Sequence, residues 1–383
     1  MTDRFCWHTK ARLFDAGREI VHCPDAVPVV ADKGEGLAQV IGLPAFRLGA
    51  LDEPAPEPGP EPVFETLTSG SSGVARRIRR SQASWIASFM VNAHFGIGPG
   101  ARVAVLGRLV HSLALYGAVE GLHLGAEVHL FHALRPDRQL KALELHRISH
   151  LYATPAQLRL MGEGQGLLPD LRVILVGGSK LQPALHRAMR EIAPGAEIRE
   201  FYGSAETSFI TMADAATPEG SVGRAYPGVE ITLDKGEVWV KSPYLFENYA
   251  GHPGSARWQG AWLSVGEMGD LRDGFLFLHG RAGRMVTIAD QNVFPEEIEA
   301  LIEAMPGIWR AAVLPVPDPA RGHVLVAVLQ GDTAVEAHLL AALRSQLGPL
   351  KAPKAVIWRQ DWPVLPSGKT DLRALEAAVT WPA

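Results

Sequence analysis

The sequence predicts an α/β protein. Residues 1–283 are expected to form a large domain of doubly wound, mostly parallel sheets with a small antiparallel sheet or barrel. Residues 284–383 are expected to form a small, mobile α+β lid. Three observations predict this. Between residues 63 and 202, short apolar runs alternate with helix-like stretches, the rhythm of βαβ units. After about residue 226 the runs shorten and are separated by Gly, Pro and Asp turns. Beyond Arg284 a compact α+β pattern begins.

The elements follow in order. Residues 1–53 show mixed patterning without a readable motif, and Pro54–Pro62 is a Pro/Glu stretch whose fixed φ angles suit an extended linker. Val63–Leu67 is a short apolar strand before a Gly/Ser loop. Ala83–Phe95 has helical spacing through Trp85, Ile86, Phe89 and Met90. Arg102–Leu106 reads as a buried strand, Ser112–Leu124 as a helix and Glu127–Phe131 as a strand. Pro136–Arg147 is amphipathic, His150–Ala153 strand-like, and Leu171–Val176 an apolar strand that ends in Gly177-Gly178. Helix Pro183–Ile192 and strand Glu197–Phe201 complete the alternating region. Val229–Leu233, Glu237–Lys241, Trp262–Ser264 and Phe275–His279 are the short strands. In the lid, helices are expected at Pro295–Met305 and Ala334–Leu347, and strands at Trp309–Pro315, His323–Gln330 and Ala355–Trp358.

Composition narrows the function. The 383 residues carry a net charge of −4 and are 47% hydrophobic, which suits a packed core and removes the electrostatic case for nucleic-acid binding. No run approaches the roughly 18 apolar residues of a membrane helix. The N-terminus has no apolar secretory core, and Cys6 and Cys23 are the only cysteines. These features lead to the expectation of a cytoplasmic protein.

Several loops carry chemistry. Thr68-Ser69-Gly70-Ser71-Ser72-Gly73 follows a strand and precedes the basic run Arg76–Arg80; hydroxyls and free amides on a tight turn can wrap an anion. Tyr202-Gly203-Ser204-Ala205-Glu206-Thr207 follows a strand. There a Tyr can stack a flat base, and Glu206 is a hard oxygen ligand suited to Mg²⁺. Gly177-Gly178-Ser179 sits at a strand's carboxyl end, where open α/β sheets bind ligands. Gly266–Asp270 offers carboxylates, and Pro366-Ser367-Gly368-Lys369 places a mobile cation near the C-terminus. Each of these is an ordinary turn if taken alone. His146 and His150 have an i,i+4 spacing but no third ligand, and no Gly-x-Ser-x-Gly elbow follows a strand. A P-loop kinase is excluded because Gly368-Lys369-Thr370 lacks the upstream glycine.

In this order, over roughly residues 64–375, the stations resemble the adenylate-forming superfamily of acyl-CoA synthetases, adenylation domains and luciferases, with the aryl and succinylbenzoate ligases as the nearer likeness. Gly280-Arg281 with Asn292–Glu299 resembles its domain hinge, and Pro366–Lys369 with Arg373 its C-terminal lysine motif. The resemblance implies ATP-dependent conversion of a carboxylic acid to an acyl-adenylate and pyrophosphate, then transfer to a thiol of CoA or of an acyl carrier protein. It implies ATP and Mg²⁺ as cofactors. Thr68 to Gly73 and Arg76 would hold phosphates, with Glu206 and Thr68 serving Mg²⁺. Gly177, Gly178, Ser179, Tyr202, Gly203 and Thr207 would surround the nucleotide. Glu267 and Arg281 would hold the ribose, Lys369 would bridge the carboxylate and α-phosphate, and His111 would gate the acyl pocket.

There are departures from the pattern. Ala75-Arg76 replaces the usual Pro-Lys, Glu267 an Asp, Arg284 the usual Asp or Lys at the hinge, and Asp290 a glycine that lines the thiol tunnel. Family members usually carry a longer stretch before the phosphate loop, so a reduced N-terminal part is expected. The acyl pocket is expected from Leu109–Tyr116, the Thr154 region, Gly177–Ser179 and Tyr202–Phe209, and to suit a small aromatic acid. A medium-chain acyl-CoA ligase and a non-catalytic nucleotide- or acyl-binding relative are the alternatives, and a homodimer is left open.

Overall fold

The computed structural model describes residues 3–68, 76–162, 164, 166–251, 253–289, 291–319, 321–365 and 369–379. Its centre is a run of parallel strands in the order Glu197–Tyr202, Val173–Val176, His150–Ala153, Arg102–Val105, Glu127–Leu130 and Arg12–Asp15, with Arg18–Ile20 antiparallel at the edge. Alternate residues of these strands enter different cores. Val103, Val105, Val173 and Leu175 pack on one face with Trp85, Phe89, Leu115 and Leu122. Ala104, Ile174 and Val176 pack on the other with Leu140, Leu143, Leu158 and Met189. Burial on both faces is what makes Val103–Val105 and Val173–Val176 read as continuous apolar runs.

The antiparallel strands after residue 210 are continuous with this sheet rather than detached from it. Thr211–Ala213 pairs with Glu197–Tyr202, then Ser221–Ala225, Phe275–Arg281, Glu267–Arg272 and Glu237–Lys241 follow outward. A second sheet runs Val29–Val30, Ala45–Leu48, Val63–Leu67, Arg77–Ser81 and Asn248–Ala250. The first 53 residues, unreadable as a motif, thus supply strands to both sheets. The basic run is likewise a strand, antiparallel to Val63–Leu67 with Leu67 opposite Arg77. Its arginines are largely spoken for. Arg79 pairs with Glu247 at 3.0 Å, Arg77 with Glu65 at 3.4 Å, and Arg80 is fully buried.

The lid is a three-stranded sheet, Ile308–Asp318, Gly322–Gly331 and Ala355–Trp358, covered by helices Pro295–Glu303 and Glu336–Lys351. It has its own core around Ile298, Ile302, Val313, Leu325 and Leu343. Arg284 is tied to this lid, with Nη1 and Nη2 on Glu299 at 3.0 and 2.7 Å and Nη2 on the Val313 carbonyl at 3.2 Å. The lid also meets the large domain through Gln182 and Glu303 at 2.7 Å and His279 and Glu297 at 2.6 Å. Among the described residues, no helix is long and apolar enough to cross a membrane.

Candidate active site

The carboxyl ends of the parallel strands open into a cavity of about 390 Å³. Its walls come from the loops after five strands, which is where an open α/β sheet binds ligands. Of the residues singled out from the sequence, the structure brings Thr68, His111, Gly177, Gly178, Gly203 and Lys369 to this one space. Lys369, from the lid, is the informative member, since it reaches a cavity built otherwise by the large domain.

Local sequence explains the loops. A Cβ on Gly177 would overlap the Phe201 ring, and one on Gly203 would overlap the Ser208 carbonyl, so both turns lie closer to their neighbours than any other residue allows. Within the Tyr202 loop, Thr207 Oγ1 accepts from the Ser204 amide at 2.9 Å; Thr207 is fully buried and braces the turn instead of facing the cavity. Glu206 accepts the Tyr249 hydroxyl at 2.8 Å. Arg80 holds the same loop from behind, donating to the Ala205 carbonyl, to Ser208 Oγ at 2.7 Å and to the Tyr244 carbonyl. Thr68 and Arg76 continue the pairing of the two strands they flank through Thr68 N to Arg76 O at 2.8 Å and Arg76 N to Thr68 Oγ1 at 3.1 Å. Ser69 to Gly73, between them, lie outside the described residues, as do Ala75, Asp290 and Pro366–Gly368.

The electrostatics join the remaining candidates. Arg281 Nε donates to Glu267 Oε1 at 2.9 Å. Burial pushes the Tyr202 hydroxyl well up, helped by Glu267 and opposed by Arg281, so all three are near neighbours. Burial holds the Lys369 ammonium below the usual lysine range; Arg281 adds to the fall, and Glu267 and Glu206 oppose it. Burial also lowers His111, which a hydrogen bond to the Leu67 backbone partly offsets. Arg281, Glu267 and Glu206 are therefore within electrostatic reach of Lys369, and Tyr202 of Glu267 and Arg281, while none of the four lines the cavity. Ser179 is exposed and stands apart from it.

The described residues hold no cluster of three or more His, Cys, Asp or Glu side chains able to bind a metal. Glu206 and Thr68 each carry a hard side-chain oxygen, and Mg²⁺ with a nucleotide takes only one or two protein oxygens and completes its shell with phosphates and water. His150 is accounted for by Nε2 contacting the Phe95 carbonyl at 2.8 Å and Nδ1 contacting Ser149 Oγ at 2.8 Å. His146 packs on His129, ring centroids 4.7 Å apart.

The cavity carries five aromatic side chains: Trp85, Tyr116, Tyr152, Phe201 and Phe209 all line it. Only Tyr116 and Phe209 of these were singled out from the sequence. Gln157 was missed too. It opens helix Pro155–Gly162 with Thr154, whose amide donates to Gln157 Oε1 at 2.9 Å while the Gln157 amide donates to Thr154 Oγ1 at 3.3 Å. That reciprocal pair is a capping box, and Thr-x-x-Gln at 154–157 was its sequence signal.

Comparison with known proteins decides the family. Residues 14–250 match the AMP-binding enzyme family, and residues 297–369 match the AMP-binding enzyme C-terminal domain. The chain belongs to the AMP-binding enzyme family. An uncharacterised acyl–CoA ligase of Bacillus subtilis is 32% identical over 338 residues, 84% of this chain and 69% of that protein. A 3-hydroxybenzoate–CoA ligase of an Aromatoleum strain is 30% identical over 369 residues, 87% of this chain and 70% of that one. The solved structure of an amide bond synthetase from Marinactinospora thermotolerans matches with a TM-score of 0.72 and 28% identity, covering 86% of this chain and 72% of the other. In this AMP-binding enzyme the two matched segments correspond to the large domain and the lid, and the cavity lies where the lid's lysine meets the large domain.

Proposed function

We propose that the protein activates a compact, ring-bearing carboxylic acid with ATP, forming an acyl-adenylate and pyrophosphate, and passes the acyl group to the thiol of CoA. The observation that carries the reading is Lys369 in one cavity with Thr68, His111 and Gly177-Gly178. An oxygen of the acid attacks the α-phosphorus of ATP, the bond from that phosphorus to the oxygen bridging to the β-phosphate breaks, and pyrophosphate leaves. The protein's part is to place two anions in contact and neutralise them. Lys369 does this as a point charge between carboxylate and α-phosphate, and Arg76 and the Thr68 hydroxyl act at the distal phosphates. Glu206 and Thr68 would hold Mg²⁺, which shields the phosphates' negative charge. Arg281 and Glu267 hold the ribose, and Tyr202 with Gly177 and Gly178 flanks the adenine. In the second step the thiolate attacks the acyl carbon and AMP leaves.

Five aromatic rings at the acyl end favour a flat acid, because offset and edge contacts add to ordinary burial. The 3-hydroxybenzoate–CoA ligase among the relatives supports the same class. ATP–pyrophosphate exchange across benzoate, hydroxybenzoates, hexanoate and decanoate tests the acid. Strong exchange with ring acids is expected, and exchange with the alkyl acids alone would overturn the aromatic assignment. Mass spectrometry after incubation with CoA, or with a phosphopantetheinylated carrier protein, reads the acceptor; a thioester on the carrier protein alone would replace CoA.

A further inference from the structure

We infer that Glu120, a residue outside the cavity wall, sets the depth of the acyl end by fixing Tyr116 and Tyr152 as its back wall. The inference rests on the proposed acid activation and deepens it, since it states which acids the wall excludes.

Glu120 lies in the C-terminal half of helix Ser112–Leu124 and is fully buried. An isolated carboxyl at such a position is costly unless its hydrogen bonds are made. Here they are made by the wall itself. Tyr152 donates its hydroxyl to Glu120 Oε2, and Tyr116 donates to Glu120 Oε1 at 3.3 Å. Around Tyr116 stand Ser88 Oγ at 2.7 Å and Asn92 Nδ2 at 3.1 Å, and Tyr226 donates to Asn92 Oδ1 at 2.7 Å.

Both tyrosines are also held by their rings. Tyr152 lies against the helix where Gly117 has no Cβ; one added there would come 2.6 Å from the ring. Tyr116 meets Trp85 and Phe209 edge to face at 5.1 and 5.2 Å. The hydroxyls thus point away from the cavity into a closed polar network, and the acid meets ring surfaces backed by groups that cannot give. Burial keeps the Glu120 carboxyl neutral at ordinary pH, pushed up to about 8. A linked network of this kind is stiffer than the same volume of alkyl side chains. A flat ring fits in front of it, and an alkyl chain that must continue past the ring's depth does not.

The experiment compares the kcat/KM ratio of benzoate to decanoate in ATP–pyrophosphate exchange. It is paired with calorimetric titration of both acids into the AMP-loaded protein and with melting curves. The wild type is expected to favour benzoate by a hundredfold or more. Tyr116→Ala, which opens the wall, should shift the ratio at least tenfold toward decanoate. Glu120→Leu should shift it several-fold, and Glu120→Gln, which keeps a neutral hydrogen-bonding group, should hold it near the wild-type value. A wild type that takes both acids equally, or a folded Glu120→Leu protein with an unchanged ratio, overturns the wall. If the wild type exchanges with no acid but still binds benzoate over decanoate in the titration, the wall stands and acid activation fails. Binding of neither acid overturns both.

Discussion

Arg281 and Glu267 are register partners on neighbouring antiparallel strands, and Arg281 Nε donates to Glu267 Oε1 at 2.9 Å. Glu267 opens its strand and Arg281 closes the next, so the pair sits where the chain leaves the sheet for the lid, with Tyr202 near by. The register of the two strands sets the separation of the two side chains, so the carboxylate is held in a constant place. If that carboxylate holds the ribose, Glu267→Ala should raise the KM for ATP about ten- to a hundredfold, the range of a hydrogen bond to a charged group. The KM for the acid should stay within about twofold. Steady-state exchange with ATP varied, then acid varied, measures this; an unchanged KM for ATP refutes the ribose role.

Lys369 carries the largest single expectation. Removing a charge that meets the transition state in a dry site costs on the order of 10²–10³ in rate, so Lys369→Ala should cut exchange by at least that much. The pH dependence has a definite sign. The ammonium is the working form, and burial together with Arg281 lowers its pKa from the usual 10.5. Exchange should therefore fall as pH rises through a value below 10.5, and Lys369→Arg should remove that alkaline limb while leaving partial activity. A profile of exchange from pH 6 to 10 in both proteins decides it.

What was legible in the sequence follows from how local each signal is. Most elements from Val63 to Tyr202 were readable, because strands such as Val173–Val176 are apolar and buried along their whole length and helices such as Pro183–Ile192 are amphipathic, with Leu185, Met189 and Ile192 buried; strand Arg77–Ser81, which reads as a basic run, and helix Pro155–Gly162 were not. Arg12–Asp15 was not, because a four-residue Arg-Leu-Phe-Asp segment becomes a strand only by pairing with Glu127–Leu130. Ala45–Leu48 hides for a related reason. It buries Arg47, an unlikely strand residue on composition, by pairing it with Glu65 at 2.8 Å and with the Pro54, Ala50 and Glu53 carbonyls. In the site, Lys369 and His111 stood on recognisable loops. Trp85, Tyr152 and Phe201 looked like core residues, which they also are; the meeting of five strand ends makes them a wall.

Arg80 shows how the same sequence signal divides between binding and architecture. Within the basic run beside the phosphate-loop candidate, it turns inward to the carbonyls of Ala205 and Tyr244. Burial pushes its guanidinium down to about 9, partly countered by Glu206. Arg80→Met leaves those buried acceptors without a donor, which should cost about 1–3 kcal/mol for each acceptor left unsatisfied, and release the Glu206 loop. The expected outcome is a lower melting temperature together with a raised KM for ATP. A variant that melts like the wild type would show that the loop is braced elsewhere, by Thr207 and Tyr249.

Glu120 makes stability depend on pH in the direction opposite to a surface carboxylate. Its pKa rises from the ordinary 4.5 to about 8 because burial outweighs the bonds from Tyr152, Asn92 and Tyr116 that favour the charged form. Between those values the folded protein holds a proton that the unfolded chain has lost. Stability contributed by this group is thus full below about pH 4.5, declines as pH rises by at most about 1.4 kcal/mol per unit, and levels off above about 8. Glu120→Gln is neutral throughout and lacks the slope. Melting temperatures of both proteins from pH 5 to 8.5 should diverge, the variant gaining on the wild type as pH rises, while titrations common to both cancel in the difference. Parallel curves would mean that the carboxyl is already ionised in the fold, with Tyr116 and Tyr152 bonding to a charge instead of a neutral acid.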